Sequence, residues 1–192
     1  MNEIFSVFFL SFMAIMTVHR ILEMFLMTRK KKTGIIYKKW TLYALVVVHV
    51  LVGVFAVLEY FVRKRHINLF ITGLGLAMFL GALILRNLAI LTLGEFHSVQ
   101  IELKNSHRLI TNGVYGYIRH PYYLAVLFEV PSITLIPNSY YALLFSLLFY
   151  FPMLFYRIHS EELIMLKKFG HNYLRYKETV PAFFPISLLR LR

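Results

Sequence analysis

Long blocks of apolar residues are the feature that most limits what this chain can fold into. Five such blocks are separated by short polar stretches: Ile4–Met27, Trp40–Val62, Ile67–Leu85, Tyr122–Ile136 and Ser139–Tyr156. A helix needs about 20 apolar residues to cross the ~30 Å hydrocarbon layer of a bilayer. The pattern therefore predicts an all-α integral membrane protein with about five transmembrane helices.

The overall composition agrees with a membrane protein. Of the 192 residues, 59% are hydrophobic and 16% are charged, whereas soluble domains average about 45–50% and about 25%. This excludes an ordinary water-soluble enzyme. The chain has no cysteine, which excludes disulfides and thiolate ligands. Its histidines lack the spacing typical of metal ligands, so we predict no metal site.

The positive charges predict the topology. The net charge is +12, but the cations flank the apolar blocks, which favours a topological role and argues against a nucleic-acid partner. Six cations in 29–39, four in 86–119 and seven in 157–192 would share one side. The positive-inside rule then predicts an outside N-terminus, a cytoplasmic C-terminus and a small cytoplasmic C-terminal cap. The cations in 63–65 would lie outside, against the rule.

The first and fourth blocks carry signals of local structure. Arg20 and Glu23 interrupt the first block, so its end is expected either to leave the bilayer or to face protein. The fourth block is short and is joined to the fifth by Pro137-Asn138, which predicts a tight helical hairpin. Pro121 suits the first turn of the fourth helix, where its missing N–H costs nothing.

A dense polar constellation precedes the fourth block. Residues 105–123 hold two histidines, two arginines and four tyrosines, and they include Arg119-His120-Pro121. Free backbone donors at a helix N-terminus can hold a carboxylate. The alternative is that Tyr122 and Tyr123 are interfacial aromatics and Arg119 is a snorkelling anchor.

A second constellation leaves the fifth block. Arg157 and Glu161 are four residues apart and would be neighbours on one helix face, whereas Glu162 is turned about 100° away. The pair could be a surface ion bridge of little energetic value. Two adjacent carboxylates would also suit a ligand with hydroxyl groups or a positive charge. Glu129 is an ionisable residue inside an apolar block and so a functional candidate, with a hydrogen-bonded interhelical carboxyl as the alternative.

In their order, these constellations resemble the isoprenylcysteine carboxyl methyltransferase family. The resemblance covers about Leu93 to Pro185, and its elements are His107-Arg108-Leu109, Gly113-Val114-Tyr115, Arg119 to Tyr123, Arg157, Glu161-Glu162, Phe169-Gly170 and Tyr173 through Tyr176. Leu93-Gly94-Glu95-Phe96 and the region around Glu129 look like a bacterial branch whose members methylate alkylpyrones. The resemblance implies a single domain, 1–192, in which 93–185 is the cofactor-binding and catalytic half.

The resemblance further implies that S-adenosylmethionine is the cofactor. Its contacts would come from seven residues: His107, Tyr115, His120, Pro121, Tyr122, Glu161 and Glu162. Arg119 and Arg157 would order the catalytic site or the substrate, and Glu129 or a histidine is the candidate base for a hydroxyl acceptor. The acceptor would be lipophilic, either the carboxylate of a prenylated or acyl-type substrate or the hydroxyl or enolate of an alkylpyrone-like lipid.

Two other functions fit part of the pattern. Membrane sterol-type reductases share an Arg-His-Pro-Tyr-like segment and use NADPH. The short cap and the segment from Arg157 to Glu162 favour methyl transfer over reduction. A non-enzymatic membrane scaffold would explain the apolar blocks, but it gives no reason for two polar constellations in this order.

Overall fold

The computed structural model of the chain describes residues 3–28, 34–64, 66–103 and 108–184. Within them the chain forms seven α-helices and two short β-strands. The helices are α1 (Glu3–Thr28), α2 (Lys39–Arg63), α3 (Leu69–Leu93), α4 (Pro121–Leu135), α5 (Tyr140–Phe145), α6 (Phe151–Phe169) and α7 (His171–Thr179). The strands are β1 (Ile35–Tyr37) and β2 (Ile101–Leu103). A π-helical stretch, Ser146–Tyr150, joins α5 to α6 in one continuous helix.

Four helical segments are long and apolar enough to cross a membrane: Glu3–Glu23, Lys39–Arg63, Leu69–Phe96 and Tyr140–Phe169. Val62, Phe70 and Leu91 are each at least 75% exposed, and a surface with many such side chains suits lipid rather than water. The predicted multi-span helical architecture is confirmed. The fourth apolar block forms α4, which has 15 residues and is therefore about 22 Å long, shorter than a full crossing.

The short helix α4 lies inside the bundle. Most of its side chains are buried, and it packs along α3. Gly75 of α3 permits the close approach, because a Cβ there would lie 3.0 Å from the backbone nitrogen of Ile136. After α4 the chain turns at Asn138, which has a left-handed φ of 59°. The Asn138 side chain accepts from the backbone N–H of Asn68 at 2.9 Å and donates to Thr72 at 3.1 Å. The expected hairpin is therefore present.

Helix α1 contacts different partners at its two ends. Near its start, the hydroxyl groups of Ser6 and Tyr60 lie 2.8 Å apart, and Phe9 packs edge-on against Tyr60. Towards its end, the side chain of Arg20 reaches Glu129 of α4. The polar end of the first apolar block thus faces protein, one of the two outcomes expected from the sequence.

Loops, α7 and the last described residues gather at the end of the bundle where α2 and α4 begin. Strand β1 pairs antiparallel with β2, with Ile36 opposite Glu102. This short pair is an addition to the predicted all-α fold. The backbone N–H of Arg119 donates to the carbonyl of Pro181 at 2.9 Å. The end of the bundle is therefore a cap built from segments far apart in sequence.

Candidate functional site

A cavity of about 780 Å³ runs from the cap into the apolar part of the bundle. Its cap end, here called the polar chamber, is lined by polar and aromatic side chains: Tyr115, Arg119, His120, Tyr123, Arg157, Glu161, Tyr173 and Tyr176. Its other end, here called the apolar arm, is lined by Met13, Met16, Gly53, Val54, Val57, Leu58 and Ile133. The volume is typical of a small-molecule site, and the two ends differ in polarity.

The apolar arm is open along its side. Val50, Val54 and Leu58 of α2 line the cavity and are still 58%, 45% and 52% exposed. From Leu42 at the polar chamber to Leu58, the cavity follows α2 over about 24 Å at 1.5 Å per residue. The arm is therefore a long groove that a hydrocarbon chain could enter from the lipid.

Arg157 is buried at the wall of the polar chamber, with 3% of its surface exposed. Its Nε donates to the hydroxyl of Tyr123 at 3.2 Å, its Nη1 to Thr41 at 2.9 Å and its Nη2 to the carbonyl of Val99 at 2.5 Å. A surface ion bridge between Arg157 and Glu161, one of the two alternatives given for this pair from the sequence, does not form between these two described residues. Because Arg157 is buried against α2 and residues 97–103, its guanidinium finds acceptors there, Thr41 and the carbonyl of Val99, rather than on its own helix.

Glu161 and Arg157 are instead linked through Tyr123. The Tyr123 hydroxyl donates to Glu161 Oε2 at 2.5 Å while it accepts from Arg157. Glu161 lines the cavity. The network therefore fixes a carboxylate on the wall of the polar chamber.

Glu162 occupies a different environment from Glu161. Its Oε1 accepts from Arg119 Nη2 at 3.0 Å and lies 3.0 Å from His120 Nε2, and its Oε2 accepts from Lys177 at 2.7 Å. Glu162 is not among the described residues that line the cavity. It lies behind His120 and Arg119, both of which do line it. Its contacts tie α6 to α7 and to the start of α4.

The last described residues, 180–184, are fastened to the start of α4. The backbone N–H of His120 donates to the carbonyl of Ala182 at 3.0 Å, and Arg119 Nη1 donates to the carbonyl of Val180 at 2.6 Å. The ring of Phe183 packs 6.3 Å from the ring of His120. This segment, here called the tail strap, therefore lies against the start of α4.

Three buried tyrosines complete the polar chamber. Burial raises the pKa of Tyr176 to about 12 and also raises the pKa values of Tyr115 and Tyr173. Each hydroxyl therefore stays protonated at neutral pH. The Tyr176 hydroxyl donates to the backbone carbonyl of Tyr115 at 2.6 Å, which holds α7 against the 108–120 segment.

Four charged side chains from three helices meet beside the middle of the cavity. This ion quartet consists of Arg20, Glu23, Arg86 and Glu129. Glu129 Oε2 accepts from both Arg20 and Arg86, and Glu23 Oε2 lies 3.3 Å from Arg20 Nη1 and 3.6 Å from Arg86 Nη1. Arg20 and Glu23 line the cavity, whereas Arg86 and Glu129 do not. The quartet carries no net formal charge.

The sequence alone does not predict that Arg20, Glu23 and Arg86 belong to the site. The available signal is an ionisable residue inside an apolar segment. Arg20 and Glu23 mark the end of the first apolar block, and Arg86 follows directly after the third. Because α3 continues to Leu93, Arg86 lies inside a membrane-length helix.

The structure brings most of the expected site residues to one place. Tyr115, Arg119, His120, Tyr122, Arg157 and Glu161 line the cavity, and Pro121 begins α4 beside them. Glu129 and Glu162 lie behind lining residues in the contacts described above. His107 lies outside the described residues.

Comparisons with known proteins point to one family. Residues 74–167 match the model of the isoprenylcysteine carboxyl methyltransferase family. Protein-S-isoprenylcysteine O-methyltransferase of Xenopus laevis is 36% identical over 115 residues, which make up 58% of this chain and 40% of that protein. Protein-S-isoprenylcysteine O-methyltransferase B of Arabidopsis thaliana is 33% identical over 118 residues, 60% of this chain and 59% of that protein.

A solved structure gives the same result. The eukaryotic intramembrane Ras methyltransferase isoprenylcysteine carboxyl methyltransferase aligns with 71% of this chain and 51% of its own, at 27% identity and a TM-score of 0.53. The chain thus matches about half the length of these relatives. A multi-pass integral membrane protein is supported by both its apolar helices and this neighbour. The resemblance inferred from the motifs is confirmed: residues 74–167 match the isoprenylcysteine carboxyl methyltransferase family, and the similar proteins and the similar solved structure carry the name of that same family.

Proposed function

We propose that this protein is an S-adenosylmethionine-dependent O-methyltransferase that acts on a lipophilic acceptor within the membrane. The observation that carries the proposal is the single cavity with a polar chamber at one end and a groove-like apolar arm at the other. A water-soluble cofactor and a lipid-soluble acceptor would meet where the two ends join. The names of the relatives, all protein-S-isoprenylcysteine O-methyltransferases, support the same reaction.

The donor set of the polar chamber fits S-adenosylmethionine. Glu161 offers a fixed carboxylate for ribose hydroxyls or the amino group, and Tyr115 and His120 offer ring faces and polar atoms. The start of α4 at Pro121 and Tyr122 is suited to the cofactor carboxylate, because helix N-termini favour anions. His107 belongs to the same proposed set by resemblance. Glu162 would act by orienting His120.

When bound, S-adenosylmethionine supplies a methyl group on a positively charged sulfur, and its transfer to an anionic oxygen cancels two opposite charges. Surroundings poor in water favour such a reaction, since they do not stabilise the separated ions. The buried Tyr123, Arg157 and Tyr176 support this role by closing the chamber with partnered polar groups. Arg119, which lines the chamber, holds the tail strap against the start of α4. Holding two reactants in place can contribute on the order of 7–11 kcal/mol to catalysis.

The acceptor class divides into two alternatives. A prenylated or acyl-type carboxylate needs no base, and the names of the relatives favour it. The hydroxyl or enolate of an alkylpyrone-like lipid is the second, for which Glu129 was the candidate base. The contacts of Glu129 with Arg20 and Arg86 support an electrostatic role for its carboxylate. In both alternatives the reacting oxygen lies on a long apolar tail, and it is negatively charged as a carboxylate, as an enolate or as a hydroxyl that has lost its proton.

We also propose that the cap lies in the cytoplasm and the N-terminus outside, as the positive-inside rule predicts. Lys38 at the start of α2 donates to Ser160 of α6 at 3.0 Å. This contact supports a shared side for the two most basic regions of the chain. The cofactor would then enter from the cytoplasm.

Calorimetric titration of the detergent-purified protein tests the proposed function. S-adenosylhomocysteine should bind, and NADPH should not. Labelled methyl transfer should then be detected with N-acetyl-S-farnesylcysteine or with a long-chain 4-hydroxy-2-pyrone, and the productive one identifies the acceptor class. Binding of NADPH without binding of S-adenosylhomocysteine would favour the reductase alternative instead.

A further inference from the structure

The ion quartet is the part of the cavity wall that the proposed function does not yet use. Four ionisable side chains inside membrane-length helices are costly, and such groups usually serve a function. Two of them, Arg20 and Glu23, come from α1, outside the segment 74–167 that matches the family model. Helix α1 therefore contributes a polar wall that the family match does not account for.

The four side chains differ in what they offer to a ligand. The Arg20 side chain is 25% exposed and lines the cavity, whereas Arg86 and Glu129 are 2% and 1% exposed. Glu23 and Glu129 each have an Oε1 atom that is fully buried and without a partner among the described residues. These carboxylate oxygens are thus shielded from the cavity. Arg20 is the arginine of the quartet that a ligand in the cavity can touch.

Arg20 also has hydrogen-bond donors to spare. A guanidinium group carries five N–H donors. The described hydrogen bonds of Arg20 go from Nη1 to Glu23 and from Nη2 to Glu129. The remaining N–H groups of Arg20 lie beside the cavity, where a ligand could supply acceptor atoms.

The quartet lies at the junction between the polar chamber and the apolar arm. Tyr122 also lines the cavity, and its ring centroid lies 5.2 Å from that of His97 on the chamber side, with the two rings tilted by 46°. His49 and Tyr150 line the same middle region, with ring centroids 5.8 Å apart. Beyond them, towards Met13 and Ile133, the lining is apolar. A lipid whose tail fills the arm would bring its polar head to Arg20.

We propose that Arg20 binds the anionic oxygen of the lipophilic acceptor, while Glu23 and Glu129 hold its guanidinium in position. This inference rests on the proposed methyl transfer. Arg suits the task because its planar fork can contact two carboxylates and still present donors to a third group. Arg86 stabilises the two carboxylates from the buried side, so that one cation of the balanced quartet remains available to the ligand.

A charge-balanced pair of substitutions provides the test. Arg20→Gln with Glu23→Gln removes one cation and one anion and leaves the Arg86–Glu129 pair intact, so no unpaired buried charge remains. Arg20→Lys, the second variant, keeps the charge but loses the fork. Arg63→Gln is the matched control, because Arg63 is exposed at the far end of α2, where it packs over Tyr141. Each protein is measured for thermal midpoint, S-adenosylhomocysteine affinity, and binding of radiolabelled N-acetyl-S-farnesylcysteine and long-chain 4-hydroxy-2-pyrone without cofactor.

The double variant and Arg20→Lys should each bind the acceptor at least tenfold more weakly than the parent does. Their affinity for S-adenosylhomocysteine should be unchanged. Arg63→Gln should bind both as the parent does. Parental acceptor affinity in either variant at an unchanged thermal midpoint overturns the proposal. If the double variant does not fold, Arg20→Lys decides alone. Failure of the parent to bind S-adenosylhomocysteine would instead contradict the proposed function.

Discussion

The hydroxyl group of Tyr123 donates a 2.5 Å hydrogen bond to Glu161 and so joins the start of α4 to α6. Tyr123 is 8% exposed, and its ring packs beside that of His120. Its neighbour Tyr122 faces the middle of the cavity. Two consecutive tyrosines thus support different parts of one site, the polar chamber and the region of the ion quartet.

Substitution of Tyr123 by phenylalanine should weaken cofactor binding without unfolding the protein. Phe keeps the ring packing but leaves Glu161 and Arg157 Nε without their shared partner. Loss of a hydrogen bond to a charged group costs about 1.5–3 kcal/mol, so the S-adenosylhomocysteine dissociation constant should rise roughly tenfold or more. Tyr117→Phe is the matched control, because Tyr117 is 58% exposed. Equal calorimetric affinities for both variants would contradict the assignment of Glu161 to the cofactor site.

The helices and the polar constellations could be predicted from the sequence because their signals are local. Apolar block length predicts membrane helices, Pro121 predicts the start of α4, and Pro137-Asn138 predicts the turn after it. Motif order then indicates the family. These features depend on neighbouring residues, so one sequence is sufficient to recognise them.

The partners of the charged side chains could not be predicted in the same way. Helical spacing suggested Glu161 as a partner for Arg157, but the guanidinium binds residues far away in sequence, among them Thr41 at a separation of 116 residues. Glu129 pairs with Arg20 across 109 residues. Such pairs depend on which side of each helix packs against its neighbours. A block that is hydrophobic on all sides does not indicate which side that is.

Glu162→Gln should loosen the tail strap. Glu162 contacts Arg119, His120 and Lys177, and the amide would lose the charge-assisted part of these contacts. The expected cost is about 1–3 kcal/mol of stability, measured as a lower thermal midpoint and as faster proteolysis after α7. Glu178→Gln, an exposed change on α7, should alter neither. An unchanged midpoint and unchanged proteolysis for Glu162→Gln would show that the strap is held without this carboxylate.

Single cysteines can test the proposed orientation, because the chain has no thiol of its own. Lys39 and Glu178 are exposed at the cap end, and His66 is exposed beyond the opposite end of α2. With the cap in the cytoplasm, an impermeant maleimide should label His66→Cys in intact cells. Lys39→Cys and Glu178→Cys should react only after lysis. The reverse labelling pattern would invert the topology, whereas labelling of all three in intact cells would indicate leaky cells and call for repetition with sealed vesicles.

If the proposed methyl transfer takes place, the apolar arm should set the length of the acceptor tail, and Gly53 is the position at which to change it. Gly53 lines the arm, and a Cβ there would lie 3.4 Å from Met13 Cε. The flexible methionine end can yield, so Gly53→Leu should fold while its side chain occupies space in the groove. If two methylenes of a long tail are displaced, the loss is about 1.6 kcal/mol at about 0.8 kcal/mol each.

This loss corresponds to roughly tenfold in kcat/KM for a long-tailed acceptor. An acceptor shortened by several carbons should be much less affected, because its tail would not reach the substitution, and S-adenosylhomocysteine affinity should stay at the parental value. Gly81→Leu on α3 is the matched control, since a Cβ there meets nothing within 4 Å. A Gly53→Leu variant that lowers kcat/KM equally for long and short acceptors would mean that the tail does not lie in the apolar arm.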